Sequence, residues 1–185
     1  LKRPRDAFAS YERALELKPD YVKALNNRGI ALLDLKHPGE ALASFDLAIE
    51  LKPDYADALS NRGNVLLDLK RFEEALSSYD RALRIKPDLA DAHWNESLCR
   101  LLIGDFERGW QKHEWRWKVE PLIHQLRTYP QPLWLGEIPI AGKTVLLHAE
   151  QGFGDTIQFC RYARLLVAQG ARVVLEVQPA LESLC

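Results

Sequence analysis

Six consecutive residues late in the chain, Glu150-Gln151-Gly152-Phe153-Gly154-Asp155, bring two carboxylates, an amide and two glycines into one short polar stretch. An apolar run of strand length, Thr144-Val145-Leu146-Leu147-His148-Ala149, precedes it, and a helical pattern from Thr156 to Gln169 follows. A turn joining a strand's C-terminal end to a helix N-terminus is where parallel α/β sheets take ligands, and its backbone N–H groups favour anions. The turn is therefore the candidate for chemistry, with Gln151, Gly152 and Gly154 as the candidate phosphate or ligand turn and Glu150 and Asp155 as the carboxylates it carries. The turn is not a dinucleotide fingerprint, because Ile157 stands where the third glycine belongs, and no Gly-Lys-Ser/Thr follows to make a phosphate loop. Asp155 has a second reading as the N-cap of the following helix.

A second set recurs rather than clusters. Asn27, Asn61 and Asn95 are spaced by 34 residues, and an amide can donate to a peptide carbonyl and accept from a peptide N–H at once. They are the candidate peptide-binding residues; the competing reading is that they tie neighbouring helices together. The five histidines show no metal-ligand spacing and no cysteine pair accompanies them, so no metal is expected. No Ser-His-Asp arrangement or nucleophile elbow is present. His148, within the apolar run, reads as a packed residue.

The elements that must position these groups follow from the same interval. Residues 22–55 and 56–89 agree at 19 of 34 positions without a gap, which marks a repeated unit. Lys18-Pro19-Asp20, Lys52-Pro53-Asp54 and Lys86-Pro87-Asp88 punctuate the series. Leu25, Leu32 and Leu33, then Ala41, Leu42, Phe45 and Ile49, recur at three and four, which predicts two amphipathic helices per unit. Each proline stops the second helix. One pair cannot bury its own face, so the pairs must stack into a solenoid. Residues 5–18 carry only a second helix, and with no methionine in the chain a longer parent protein is expected. The unit from 90 to 117 departs from the pattern: Ser97 replaces the glycine, Gly109 the alanine, and no proline closes it. All five tryptophans lie between 94 and 134. Their expected role is a packed cap; a base-stacking platform fails for lack of a basic cluster.

The 34-residue unit resembles the tetratricopeptide repeat: Leu25, Arg28, Gly29, Leu32, Ala41, Phe45 and Pro53 in one copy return as Leu59, Arg62, Gly63, Leu66, Ala75, Tyr79 and Pro87 in the next. The resemblance implies an α-solenoid over 1–117 (a partial repeat 1–19, repeats 22–55 and 56–89, a divergent unit 90–117) that holds a protein or peptide on its concave face.

From Lys118 to Gly142 the periodicity vanishes and Pro121, Pro130, Pro132 and Pro139 appear, so 118–142 reads as a proline-rich linker. Beyond it, the strand, the helix and a second strand, Arg172 to Val177, make a βαβ unit, the first of a Rossmann-like α/β domain over 143–185. Two parallel strands cannot cover both their faces, so the domain is expected to continue, and dimerisation through the free sheet edge is one way to cover it.

Val145-Leu146-Leu147 followed by Gly152-Phe153-Gly154-Asp155-Thr156-Ile157 resembles the first strand and turn of the family 9 glycosyltransferases, the heptosyltransferases, which have two Rossmann-like halves (GT-B fold). The layout is similar to bacterial proteins with tetratricopeptide repeats ahead of such a domain, and to protein O-linked N-acetylglucosamine transferases. Gly109-Trp110 and Glu114-Trp115-Arg116-Trp117 fit that group. The resemblance implies that Asp155 is the base acting on the acceptor hydroxyl, with Glu150 in reserve. It also implies a nucleotide-sugar donor held by a second half, so this stretch alone is expected to be inactive and to hold no cofactor. The alternative is a non-enzymatic interaction scaffold with a degenerate Rossmann-like domain.

Composition bounds the rest. The chain is 47% hydrophobic, which excludes wholesale disorder, and its net charge of −1 argues against a nucleic-acid partner. No run approaches the length of a membrane span. Cys99, Cys160 and Cys185 are three at patternless spacing, so a disulfide framework is not expected and a cytoplasmic setting is.

Overall fold

The computed structural model describes residues 3–150 and 152–184. It forms two compact units, residues 1–126 and 127–185, and the division falls inside the proline-rich segment.

The first unit is a succession of helix pairs along the chain: α1 (Pro4–Leu17), then α2 (Val22–Asp34) with α3 (Pro38–Leu51), α4 (Ala56–Asp68) with α5 (Phe72–Ile85), and α6 (Ala90–Leu102) with α7 (Phe106–His113). The apolar stripes read from the sequence form the core. Leu25, Leu59, Leu66, Phe45, Tyr79, Ala41 and Ala75 are essentially inaccessible to solvent. Gly29 and Gly63 set the spacing within each pair, since a Cβ at either would lie 2.5 Å from the Phe45 or Tyr79 ring.

Each first helix ends in the same hydrogen-bonded turn. Lys36 N–H donates to the Leu33 carbonyl and His37 N–H to Leu32; Lys70 and Arg71 repeat this on Leu67 and Leu66, and Gly104 and Asp105 on Leu101 and Arg100. This is a Schellman closure, and it puts its central residue in the left-handed region. Lys36 (φ 67°) and Lys70 (φ 59°) accept that conformation without glycine, whereas Gly104 (φ 85°) supplies it.

The divergent third pair differs from expectation in its second helix. α7 stops at His113, and the chain tightens into 3-10 turns at Glu114–Lys118 and Leu122–Gln125. The tightening carries Trp115 onto the His93 ring, stacked at 3.9 Å.

The second unit holds two short parallel strands, β1 (Thr144–His148) and β2 (Arg172–Glu176), paired with Val145 opposite Val173 and Leu147 opposite Leu175. The helical stretch between them starts earlier than the pattern predicts. α8 spans Phe153–Phe159, a 3-10 turn covers Cys160–Tyr162, and α9 spans Ala163–Ala168. The 3-10 turn advances side chains by three per turn rather than 3.6. Cys160, Ala163 and Leu166 therefore turn inward, while Phe159 (46% exposed) and Val167 (56%) leave the face they were expected to share. His148 closes β1 rather than sitting mid-strand, half-buried with its ring 5.6 Å from that of Tyr129.

Candidate functional site

The three repeated asparagines lie on the first helices of successive pairs, each half-buried, and two of them are engaged with neighbours. Asn61 Nδ2 donates to Asn26 Oδ1 at 3.0 Å, and Asn95 Nδ2 donates to Asn64 Oδ1 at 2.9 Å. Asn27 Oδ1 accepts from Asn26 at 3.3 Å. The Tyr79 hydroxyl also donates to Asn64 Oδ1, at 2.9 Å, and burial pushes that phenol far above the ordinary tyrosine range. The ladder thus ties α2 to α4 and α4 to α6, while Asn27 keeps its Nδ2 and Asn61 and Asn95 keep a carbonyl oxygen for another partner. Asn26 and Asn64, which complete the ladder, do not recur at the repeat interval; a search for periodic residues passes over them.

A second periodic network was also missed. Arg28 donates to Ser44 Oγ at 3.0 Å and pairs with Glu12 at 2.9 Å. One repeat later, Arg62 donates to Ser78 Oγ at 2.7 Å and pairs with Asp46 at 2.6 Å. Both serines also donate to the backbone carbonyl four residues earlier. In the third pair the charge is inverted. Glu96, fully buried, takes the arginine's place and pairs with Lys112, which stands at the serine position, at 2.7 Å, and with Arg100 at 2.6 Å. Arg100 occupies the place of Leu32 and Leu66 and also pairs with Asp105 at 2.8 Å. The glycine–ring contact changes in parallel, with Ser97 3.3 Å from His113 Nδ1. The signal for this network was present at Arg28/Arg62 and Ser44/Ser78, which match in type and spacing.

Of the tryptophans of the third unit, Trp115 and Trp117 are engaged in local packing, whereas Trp110 is 54% exposed and departs from the expected packed cap. Trp115 lies between His93 and the Lys118 ammonium, 3.8 Å from its ring, and Trp117 carries the Arg116 guanidinium at 4.3 Å. Burial holds the His93 imidazole below the ordinary histidine range; the Pro87 carbonyl, accepting from Nε2 at 2.8 Å, acts the other way, and Lys112 and Lys118 add to the depression.

At the glycine turn, Gly152 is the N-cap of α8, and Asp155 is the third residue of that helix rather than its cap. The capping reading of Asp155 therefore falls: its carboxylate, exposed in the first turn, is well placed for the helix dipole. Thr156, buried, closes the turn by donating from N and Oγ1 to the Gly152 carbonyl at 3.2 and 3.3 Å. Glu150 is exposed two residues beyond β1, and Gln151 lies outside the described residues. A Cβ at Gly152 or Gly154 would meet nothing within 4 Å, so the turn is open to solvent. Among the described residues no three His, Cys, Asp or Glu side chains converge to hold a metal, and no helix is long and apolar enough to cross a membrane.

Two stretches, residues 1–56 and 56–89, each match the tetratricopeptide repeat family. Residues 1–89 of the helical unit are tetratricopeptide repeats. No curated protein matches the chain. Among solved structures, MamA is similar at 21% identity over 62% of this chain and 67% of its own, with a TM-score of 0.55. Residues 41 to the end of MamA from Desulfovibrio magneticus RS-1 are similar at 24% identity over 64% of this chain and 67% of their own, with a TM-score of 0.57. The first tetratricopeptide domain of Spaghetti (RPAP3), solved with the HSP90 peptide SRMEEVD bound, is similar at 26% identity over 54% of this chain and 79% of its own, with a TM-score of 0.53.

Proposed function

We propose that the array is a peptide-binding scaffold, taking an extended segment of a partner protein along its first helices. The observation that carries this reading is the line of half-buried amides at 34-residue intervals, each with a hydrogen-bonding atom left over from the ladder. The bound peptide in the similar Spaghetti domain supports the same use of a repeat array. Replacing Asn27, Asn61 and Asn95 by alanine in a protein that keeps its helical signal should abolish partner capture; full capture by the folded triple variant refutes the reading.

We further propose that the parent protein is a glycosyltransferase-like enzyme to which the repeats deliver a protein acceptor, with a nucleotide-sugar donor bound elsewhere in that protein. The support is the parallel strand pair with its intervening helices and the exposed Asp155 at the strand-to-helix turn, where a carboxylate can accept a hydroxyl proton. Asp155→Asn in the full-length protein keeps a hydrogen-bonding side chain in the first turn but cannot take a proton. It should keep the fold and lose transfer; transfer at the wild-type rate would place the base elsewhere, with Glu150 next to test.

A further inference from the structure

The helix dipole sorts the aspartates of the first helices into two kinds. Asp57 and Asp91 lie in the first turns of α4 and α6, where the positive end of the dipole favours a carboxylate. Asp34 and Asp68 are the last residues of α2 and α4, at the negative end, and neither helix has a basic residue in its last turn. A carboxylate there opposes the dipole, so folding gains nothing from it. Both side chains are exposed, and among the described residues neither makes an ion pair, not even with Lys36 or Lys70 two residues further on. The acids of the second helices are used differently: Glu12 and Asp46 hold Arg28 and Arg62, and Glu74 holds Arg71. In α6 the place of Asp34 and Asp68 passes to Leu102, and Arg100 stands in the last turn. The opposed, unpaired charge belongs to the two regular repeats.

Both carboxylates share a face with the amide line. Asp34 and Asn27 line one groove. Asp68 follows Asn61 by seven residues, about two turns of helix, and its charge reaches the Tyr79 phenol, whose hydroxyl bonds Asn64 within the ladder. Asp68 lies in the middle repeat, with α4 tied to α2 on one side and to α6 on the other, so its exposure belongs to the array itself. We infer that the segment taken along the first helices is basic: lysine or arginine side chains of the partner reach the C-terminal ends of α2 and α4, each meeting a carboxylate and, behind it, the negative end of a helix dipole. This rests on the peptide-binding reading above and adds the class of segment. Its backbone goes to the amides of Asn27 and Asn61, and its cations go to Asp34 and Asp68. An acidic segment would set like charges against both carboxylates.

The probe is a fluorescent peptide of Lys-Ser-Ala repeated four times, with Glu-Ser-Ala repeated four times as its counterpart. Each is titrated into the intact chain by anisotropy at physiological ionic strength, where charges beyond about 8 Å are screened. The expected result is saturable binding of the basic peptide alone, weakened about tenfold by Asp34→Asn with Asp68→Asn. Asp20→Asn with Asp54→Asn, which removes the same charge from the exposed turns between pairs, should leave it unchanged. The first pair of changes relieves two opposed helix ends, so that variant should melt no lower than the wild type, and its loss of binding is not a loss of fold. Failure of the basic peptide to bind, equal binding of the acidic peptide, or equal weakening by the two pairs of changes overturns the inference. The alanine variant of Asn27, Asn61 and Asn95 separates it from the reading beneath it. Basic-peptide binding that falls with the alanines but ignores Asp34→Asn with Asp68→Asn overturns the inference and leaves the amide line standing; the reverse pattern keeps the cation sites and overturns the amide line.

Discussion

The inverted charge of the third helix pair makes a quantitative demand on stability. Glu96→Gln keeps the size of a fully buried side chain but removes the charge that Arg100 and Lys112 share at 2.6 and 2.7 Å. Removing one partner of a buried ion pair destabilises by about 3–5 kcal/mol. Two features favour the low end here: Arg100 keeps Asp105 at 2.8 Å, and the Lys112 side chain, 28% exposed, can turn its ammonium to water. A loss of about 3 kcal/mol in an array of this size corresponds to a fall in Tm of roughly 10 °C. Thermal denaturation followed by circular dichroism at 222 nm, the ordinary helix band, reads this directly. The same reasoning specifies a repair. Glu96→Arg with Arg100→Leu and Lys112→Ser rebuilds the arrangement around Arg62, Leu66 and Ser78, with Asp80 taking the part of Asp46. The triple variant should melt near the wild type, whereas Glu96→Arg alone should be the least stable protein of the set. A Glu96→Gln protein melting within about 2 °C of the wild type, the range of a neutral surface change, refutes the account of this network.

Gly63→Ala should destabilise by about 1–3 kcal/mol, because the new Cβ meets the buried Tyr79 ring; Gly39→Ala, with nothing within 4 Å, should stabilise by about 0.5–1 kcal/mol, and chemical denaturation separates the two. Lys70→Gly should raise stability by up to about 1 kcal/mol by relieving a left-handed turn residue, measured in the same way. His93 predicts a pH dependence. Its folded pKa is depressed, so the unfolded chain binds the proton more readily, and the contribution is present above the ordinary histidine pKa of about 6.5 and lost as pH falls through the folded value. Melting curves of wild type and His93→Gln between those limits should converge in slope if that is wrong and diverge if it is right.

The helical pairs were legible because burial and periodicity coincide. Leu25, Leu59, Phe45 and Tyr79 repeat at the interval that the solenoid needs, and small residues sit where helices touch. What escaped depends on contacts between residues that are not copies of one another. Asn26 and Asn64 receive the amides of Asn61 and Asn95 from positions without matching partners, and the exchange of Arg62 for Glu96 looks like divergence until Lys112 is seen beside it. The early start of α8 escaped for a local reason. Phe153 and Gly154 carry no helix-start signal, and Asp155 looks like a cap when only its type and the following apolar pattern are weighed. The 3-10 turn at Cys160–Tyr162 then shifts the phase of α9, which no constant period can represent.

The central claim, that partner peptides run along the amide line of the first helices, is tested most directly by following backbone and side-chain amide NMR shifts. A peptide selected by panning on the intact chain would be titrated in. The account predicts shifts concentrated at the side-chain amides of Asn27, Asn61 and Asn95, spanning α2, α4 and α6. Shifts confined to the charged groove lined by Asp46 and Glu50 of α3, Arg62 of α4 and Arg81 of α5, with those three amides unmoved, would contradict it.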